Sequence, residues 1–156
     1  MLLGNSTLFL KIVEKGIDMT FDPNNPCLFC NPPPDHIIAR NSHALLCIDQ
    51  YPVTVGHSLV IPARHVADYF DLTSEEREAI ESLLHQRRTQ LLAEDATIDG
   101  FNVGVNCGKA AGQSVFHVHV HLIPRRFGDH HNPKGGVRQV IPDKAGYVPE
   151  DPFKKH

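Results

Sequence analysis

Gln113-Ser114-Val115-Phe116-His117-Val118-His119-Val120-His121-Leu122-Ile123-Pro124 alternates histidine with hydrophobic residues. Period 2 marks a strand with one face buried and the other polar. The pattern predicts that Phe116, Val118, Val120 and Leu122 enter a core. His117, His119 and His121 then stand in a row on the opposite face, neighbours about 6 to 7 Å apart. A helix would scatter the same three residues around its axis. Such a row suits metal binding, proton transfer or nucleophilic attack on phosphorus, because imidazole titrates near neutrality and is nucleophilic when neutral. One catalytic metal held by all three is disfavoured, since the outer pair would lie about 13 Å apart. The remaining reading is a plain polar sheet face.

The chain around this strand fits one domain with a single core: it has 156 residues, 41% hydrophobic and 21% charged. A net charge of −3 argues against a general nucleic-acid binder, whose footprint would be basic. It leaves room for a small anionic ligand at a locally positive site. No hydrophobic run is long enough for a membrane helix. Leu8-Phe9-Leu10 has no basic stretch before it, so a secretory signal is not expected. Four cysteines in such a chain are expected to be thiols or metal ligands in a reducing cytoplasm. Residues 1–25 read as an N-terminal extension or arm, with Met19 as a second candidate start, and residues 143–156 as a C-terminal tail.

Upstream, Cys27-Leu28-Phe29-Cys30 sits in a proline-bounded turn. Three prolines after Cys30 make a helix-opening redox site a poor fit. Two thiolates on a turn are half of a tetrahedral zinc site; the alternative is a pair of ordinary buried thiols. His36 to Arg40 and His43 to Asp49 read as a hairpin around Asn41-Ser42. Asp49 falls at a strand end, where it caps a turn or accepts hydrogen bonds from a ribose diol. A third strand spans Gly56 to Pro62, with His57 an ordinary strand histidine. Thr73 and Glu76 form a capping box opening a helix that runs to about Glu94, with Ile80, Leu83, Leu84, Leu91 and Leu92 on its apolar stripe. Phe101 to Asn106 is a fourth strand. The Gly-rich loop Cys107 to Ser114 leads into the histidines, and amide nests of that kind favour anions. Cys47 and Cys107 read as buried spectators, and the segment after Pro124 as irregular structure.

Gly112-Gln113-Ser114-Val115-Phe116-His117-Val118-His119-Val120-His121 resembles the signature of the histidine triad (HIT) superfamily, whose members bind and cleave nucleotides. His121 to Asp129, then Asn132 to Arg138, is similar to its small bacterial nucleotide hydrolases. The likeness covers residues 26–142, taken as the HIT domain. It implies an α+β fold: about five antiparallel strands with helices on one side, joined into ten across a homodimer. It implies His119 as nucleophile, with His121 and His117 completing the catalytic set. Phe29, Asp49, Asn106, Gln113, Ser114, His119 and His121 would contact the nucleotide, with Asp49 on the ribose and Phe29 and Ile38 at the base. It adds His65 and His117 to Cys27 and Cys30 as a Cys₂His₂ structural zinc site, with no cofactor for the chemistry. The expected function is hydrolysis or nucleotidyl transfer at the α-phosphate of a purine nucleotide, such as a dinucleoside polyphosphate or nucleoside phosphoramidate. The alternative is a non-catalytic nucleotide sensor or dimeric interaction protein. Neither nucleic acid nor membrane is an expected partner.

Overall fold

The computed structural model describes residues 26–146; the expected arm 1–25 and the tail beyond 146 lie outside them. Five strands form one sheet: β1 (Ile37–Arg40), β2 (Ala44–Ile48), β3 (Ser58–Pro62), β4 (Gly100–Val105) and β5 (Val120–Arg125). Their order is β1-β2-β3-β5-β4, and every adjacent pair is antiparallel. The long helix α1 (Ser74–Glu94) lies between β3 and β4 in sequence, and a single-turn helix, α2 (Pro142–Ala145), closes the described chain. This is the expected α+β architecture, with the five-stranded sheet and a helix on one side.

Alternation along the strands sorts the sheet into two faces. Ala44, Leu46, Val60 and Val120 pack with Ala79, Ile80 and Leu83 of α1, and Val66 and Leu72 join them. Leu45, Cys47 and Ile61 face the other way, where Phe29 and Ile37 cover them. At the β1–β2 turn, Asn41 Oδ1 accepts from the backbone N–H of Ala44 at 2.9 Å. Its Nδ2 donates to the Ala79 carbonyl at 2.8 Å. One side chain therefore shapes the hairpin and ties it to α1.

The expected capping box is present: Thr73 Oγ1 accepts from Glu76 N–H, and the Glu76 carboxylate accepts from Thr73 N–H. Glu76 is 4% exposed, which is tolerable because the Arg64 guanidinium grips it at 2.7 and 2.9 Å. That bidentate contact, ahead of every other cause, holds the Glu76 carboxyl below its ordinary range. Thr73→Ala is expected to cost about 1 kcal/mol of unfolding free energy. Glu76→Ala should cost more, since it removes the cap and the buried partner of Arg64 together. Urea midpoints of the two variants against the parent check the ranking.

Two corrections concern the helix and the histidine strand. The apolar stripe of α1 includes Arg87, 8% exposed, whereas Leu92 is 37% exposed. Leu83, Arg87 and Leu91 recur at four-residue spacing, so the arginine sits on the buried stripe by position. It survives there because Nε donates to Ser58 Oγ at 3.0 Å. Gly56 lets the preceding loop close on the same helix. Its φ is +90°, and a Cβ there would stand 2.8 Å from a Leu91 methyl.

The histidine strand begins only at Val120. Residues 115–119 bend away from the ladder, and Val118 N–H donates to the Val66 carbonyl at 2.8 Å. The expected alternation is broken: Phe116 is 51% exposed, while His117 is fully buried. Pro124, inside β5, is accommodated because β3 pairs no further along than Leu122. Beyond that point the Thr54 hydroxyl takes the Pro124 carbonyl at 2.7 Å. Packed structure continues to Ala145, which is 1% exposed.

Candidate active site and metal-ligand set

The bend before β5 sends the three histidines to three different jobs. His117 turns inward. Its Nε2 lies 2.8 Å from the Pro62 carbonyl, an acceptor only, so Nε2 carries the proton and Nδ1 keeps its lone pair. That lone pair faces Cys27 Sγ and Cys30 Sγ, each at 3.6 Å. Cys30 Sγ lies 3.1 Å from His65 Nδ1, and the four ligand atoms all fall within 4.8 Å of one another. Two thiols and two imidazole nitrogens gathered so closely fit a tetrahedral zinc ion, and the Pro62 carbonyl fixes His117 in the ligating tautomer. The expected set Cys27, Cys30, His65 and His117 is brought together from three segments of the chain.

His119 is 5% exposed. Its Nδ1 donates to the His117 carbonyl at 2.8 Å. The lone pair is therefore on Nε2, and a single hydrogen bond selects the nitrogen able to attack. Phe29, carried between the two cysteines, places its ring 4.9 Å from that of His119 and 6.1 Å, edge-on, from that of His117.

His121 lies on β5 proper, its ring 5.2 Å from that of His119. Its Nδ1 is 3.0 Å from His57 Nε2. Val53 N–H donates to His57 Nδ1 at 3.3 Å, which leaves the His57 proton on Nε2, pointing at His121. His121 in turn accepts at Nδ1 and carries its own proton on Nε2. Asp49 completes the group: Oδ2 is 3.3 Å from His57 Nε2 and 3.9 Å from His121 Nδ1, while Oδ1 accepts from Tyr51 N–H at 2.8 Å. His57 is thus part of the site and 5% exposed, not an ordinary strand histidine. It lies 64 residues from His121 in sequence and reaches it only because β3 and β5 are neighbours. Asp49, His57 and His121 could also form a three-ligand metal group, but the protonated His57 Nε2 would have to lose its proton first. The three triad histidines themselves do not converge on one ion, which removes the geometry of a single catalytic metal.

Other expected contacts divide. Gln113 is 5% exposed and turned into its own loop. Nε2 donates to the carbonyls of Ala67 and Val115 at 2.8 and 3.2 Å, and Oε1 accepts from Gly108 N–H at 2.8 Å. In this arrangement Gln113 braces the Gly-rich loop. Ser114 is exposed on that loop, and Asn106 is half-buried at the end of β4. Asn106 directly follows Val105, whose ladder partner Val120 directly follows His119. Ile38 packs on the α1 side, and its neighbour Ile37 lies beside Phe29 instead, as the period-2 alternation of a strand requires. Cys47 is buried, and burial pushes its thiol up to about 11. Cys107 is half-buried, more open than the sequence reading expected.

Burial lowers His121 to about 4; the neighbouring His119 and His57 lower it further, and Asp49 opposes them. Burial likewise lowers His57. A histidine with a folded-state value below its unfolded value of about 6.5 binds its proton more readily when unfolded. Its contribution to stability is complete above pH 6.5 and is lost as pH falls toward 4. Unfolding free energy is expected to fall steadily over that window. A His121→Asn variant should show a shallower slope in urea titrations at pH 7, 6, 5 and 4.5.

The family model for the HIT domain matches residues 32–128. A 16.1 kDa HIT-like protein of Mycoplasma pneumoniae is 37% identical over 106 residues, covering 65% of this chain and 73% of its own. A HIT family protein from Bacillus anthracis superposes with a TM-score of 0.62 at 38% identity, covering 67% of this chain and 77% of its own. A zinc-bound histidine triad family protein from Mycobacterium smegmatis gives 0.59 at 36% identity, with 69% and 80% covered. Two further matches carry an activity in their names. An AP-4-A phosphorylase of Mycobacterium tuberculosis is 35% identical over 94 residues, 60% of this chain and 48% of its own. A diadenosine triphosphate hydrolase of Plasmodium falciparum gives a TM-score of 0.56 at 25% identity, with 71% and 72% covered.

Proposed function

Starting from a chain that belongs to the HIT family, we propose a hydrolase or nucleotidyl transferase acting at the α-phosphate of an adenine nucleotide. The substrate class is a dinucleoside polyphosphate or a nucleoside phosphoramidate. The observation that carries this reading is the hydrogen bond from His119 Nδ1 to the His117 carbonyl, which leaves Nε2 as a preset nucleophile.

In the first step His119 Nε2 attacks the α-phosphorus, a P–N bond forms, and the bond to the leaving group breaks. The leaving group takes the proton that His121 holds on Nε2. Water then attacks the nucleotidyl-histidine, returns a proton to His121 and releases a nucleoside monophosphate. Asn106, Ser114 and the loop amides between Cys107 and Ser114 stabilise the charge on phosphorus. Asp49 holds the ribose, and Phe29 covers the base. Cys27, Cys30, His65 and His117 would hold zinc, which would supply a structural cross-link rather than chemistry. The names of the tuberculosis phosphorylase and the Plasmodium hydrolase support a dinucleoside polyphosphate as substrate.

The working unit in this reading is a homodimer, with β4 as the joining edge of the sheet. Val103 on that strand is 48% exposed, and Phe70, before α1, is 74% exposed. No helix among the described residues is long and apolar enough to cross a membrane, and the thiol-rich site suits a reducing cytoplasm.

Chromatography of reactions with diadenosine tetraphosphate and with an adenosine phosphoramidate tests the reading. AMP should appear from at least one of them. Tight AMP binding with no turnover of either would replace the enzyme by a nucleotide sensor.

A further inference from the structure

The turn that carries Cys27 and Cys30 packs one half-buried ring, that of Phe29, against the sheet. Leu28 is 69% exposed, so the apolar anchor of the turn is Phe29, which packs against Leu45, Cys47 and Ile61. The same ring touches His119 at 4.9 Å and His117 at 6.1 Å. Phe29 is adjacent to one sulfur ligand and two residues from the other. A single short turn therefore links the metal-ligand set, the wall of the sheet's open face and the side of the nucleophile.

Resting on the nucleotide-hydrolase reading above, we propose that Phe29 is a positioning residue that makes nucleotide binding depend on metal occupancy. A metal held by Cys27, Cys30, His65 and His117, whose ligand atoms lie within 4.8 Å of one another, would lock the turn. The turn then holds the Phe29 ring in place, as one wall of the base site and one flank of His119. Without the metal, the turn loses those bonds, and weaker sulfur–imidazole contacts stand in their place: 3.6 Å from each sulfur to His117 and 3.1 Å from Cys30 to His65. The turn gains conformational freedom, and the ring no longer presents a fixed face. A nucleotide that needs that face must then re-order the turn as it binds, and its affinity falls by the cost of doing so.

The test is calorimetric titration of AMP into the full chain, zinc-loaded and chelator-stripped, for the parent, Phe29→Ala and Phe29→Tyr. Zinc content and near-ultraviolet circular dichroism are recorded for each sample. Stripping should weaken AMP binding about tenfold in the parent, the scale of one well-placed aromatic contact. Loaded Phe29→Ala, with its zinc retained, should be weaker by a similar factor and should respond to stripping by less than about twofold. Phe29→Tyr, which keeps the ring, should behave as the parent does. Equal AMP affinity with and without zinc in the parent, or the same loss on stripping in Phe29→Ala, overturns the coupling while leaving the nucleotide reading intact. Loaded parent protein that binds no AMP overturns the nucleotide reading and this inference with it. If stripping unfolds the chain, the loaded variants decide: Phe29→Ala binding AMP as tightly as the parent overturns the proposal.

Discussion

His119→Ala is expected to lower kcat for the preferred substrate on the order of 10⁴-fold while leaving AMP affinity within a few-fold of the parent. Nε2 of His119 carries the free lone pair because Nδ1 is committed to the His117 carbonyl. No neighbouring imidazole replaces it: His117 uses Nε2 on the Pro62 carbonyl and turns Nδ1 to the cysteines. His121 accepts from His57 at Nδ1 and offers a proton at Nε2. A further signature follows from the order of steps. Loss of the acid should spare the nucleophile, so His121→Asn should slow turnover yet still yield a nucleotidyl-protein when the leaving group is good. Single-turnover mixing with a radiolabelled nucleotide, quenched in base to preserve the P–N bond, checks this. Full turnover by His119→Ala would exclude the covalent mechanism.

Removal of the metal is expected to lower the melting temperature by about 10 °C. A ligand at a thousand times its dissociation constant stabilises the folded chain by about 4 kcal/mol, and a chain of this size converts each kcal/mol into a few degrees. The four donors come from residues 27–30, 65 and 117, so a bound ion would cross-link the cysteine turn, the segment after β3 and the approach to β5. Cys30→Ser should show the same drop, and a chelator should lower it no further. Scanning calorimetry, paired with a zinc assay expected to find about one ion per parent chain, measures both. A melting temperature unmoved by a chelator that strips the zinc would show that the turn is held without it.

Much of this was readable in the sequence because it is local. The capping box at Thr73 and Glu76 needs only a three-residue spacing, and α1 starts where that spacing puts it. The Asn41 turn and the alternation of Val120 to Arg125 are likewise short-range, and burial follows that alternation along β5. The ligand set was legible through resemblance alone: nothing in the spacing of Cys27, Cys30, His65 and His117 says that they meet.

What the sequence determined by itself was the type of each strand and helix, the residue types of the site and the polar row from which the histidines come. Tertiary structure decided what each histidine does. The alternation assigned His117, His119 and His121 equal places on one face, but the bend at residues 115–119 separated them. Pro62 and the cysteines took His117, the His117 carbonyl took His119, and His57 took His121. It also placed Arg87 under the sheet opposite Ser58 and folded Gln113 into its own loop. The physical reason is common to all of these. A tautomer, a buried charge or a lone pair is set by the hydrogen-bond partner opposite it, and strand order, not sequence separation, chooses that partner.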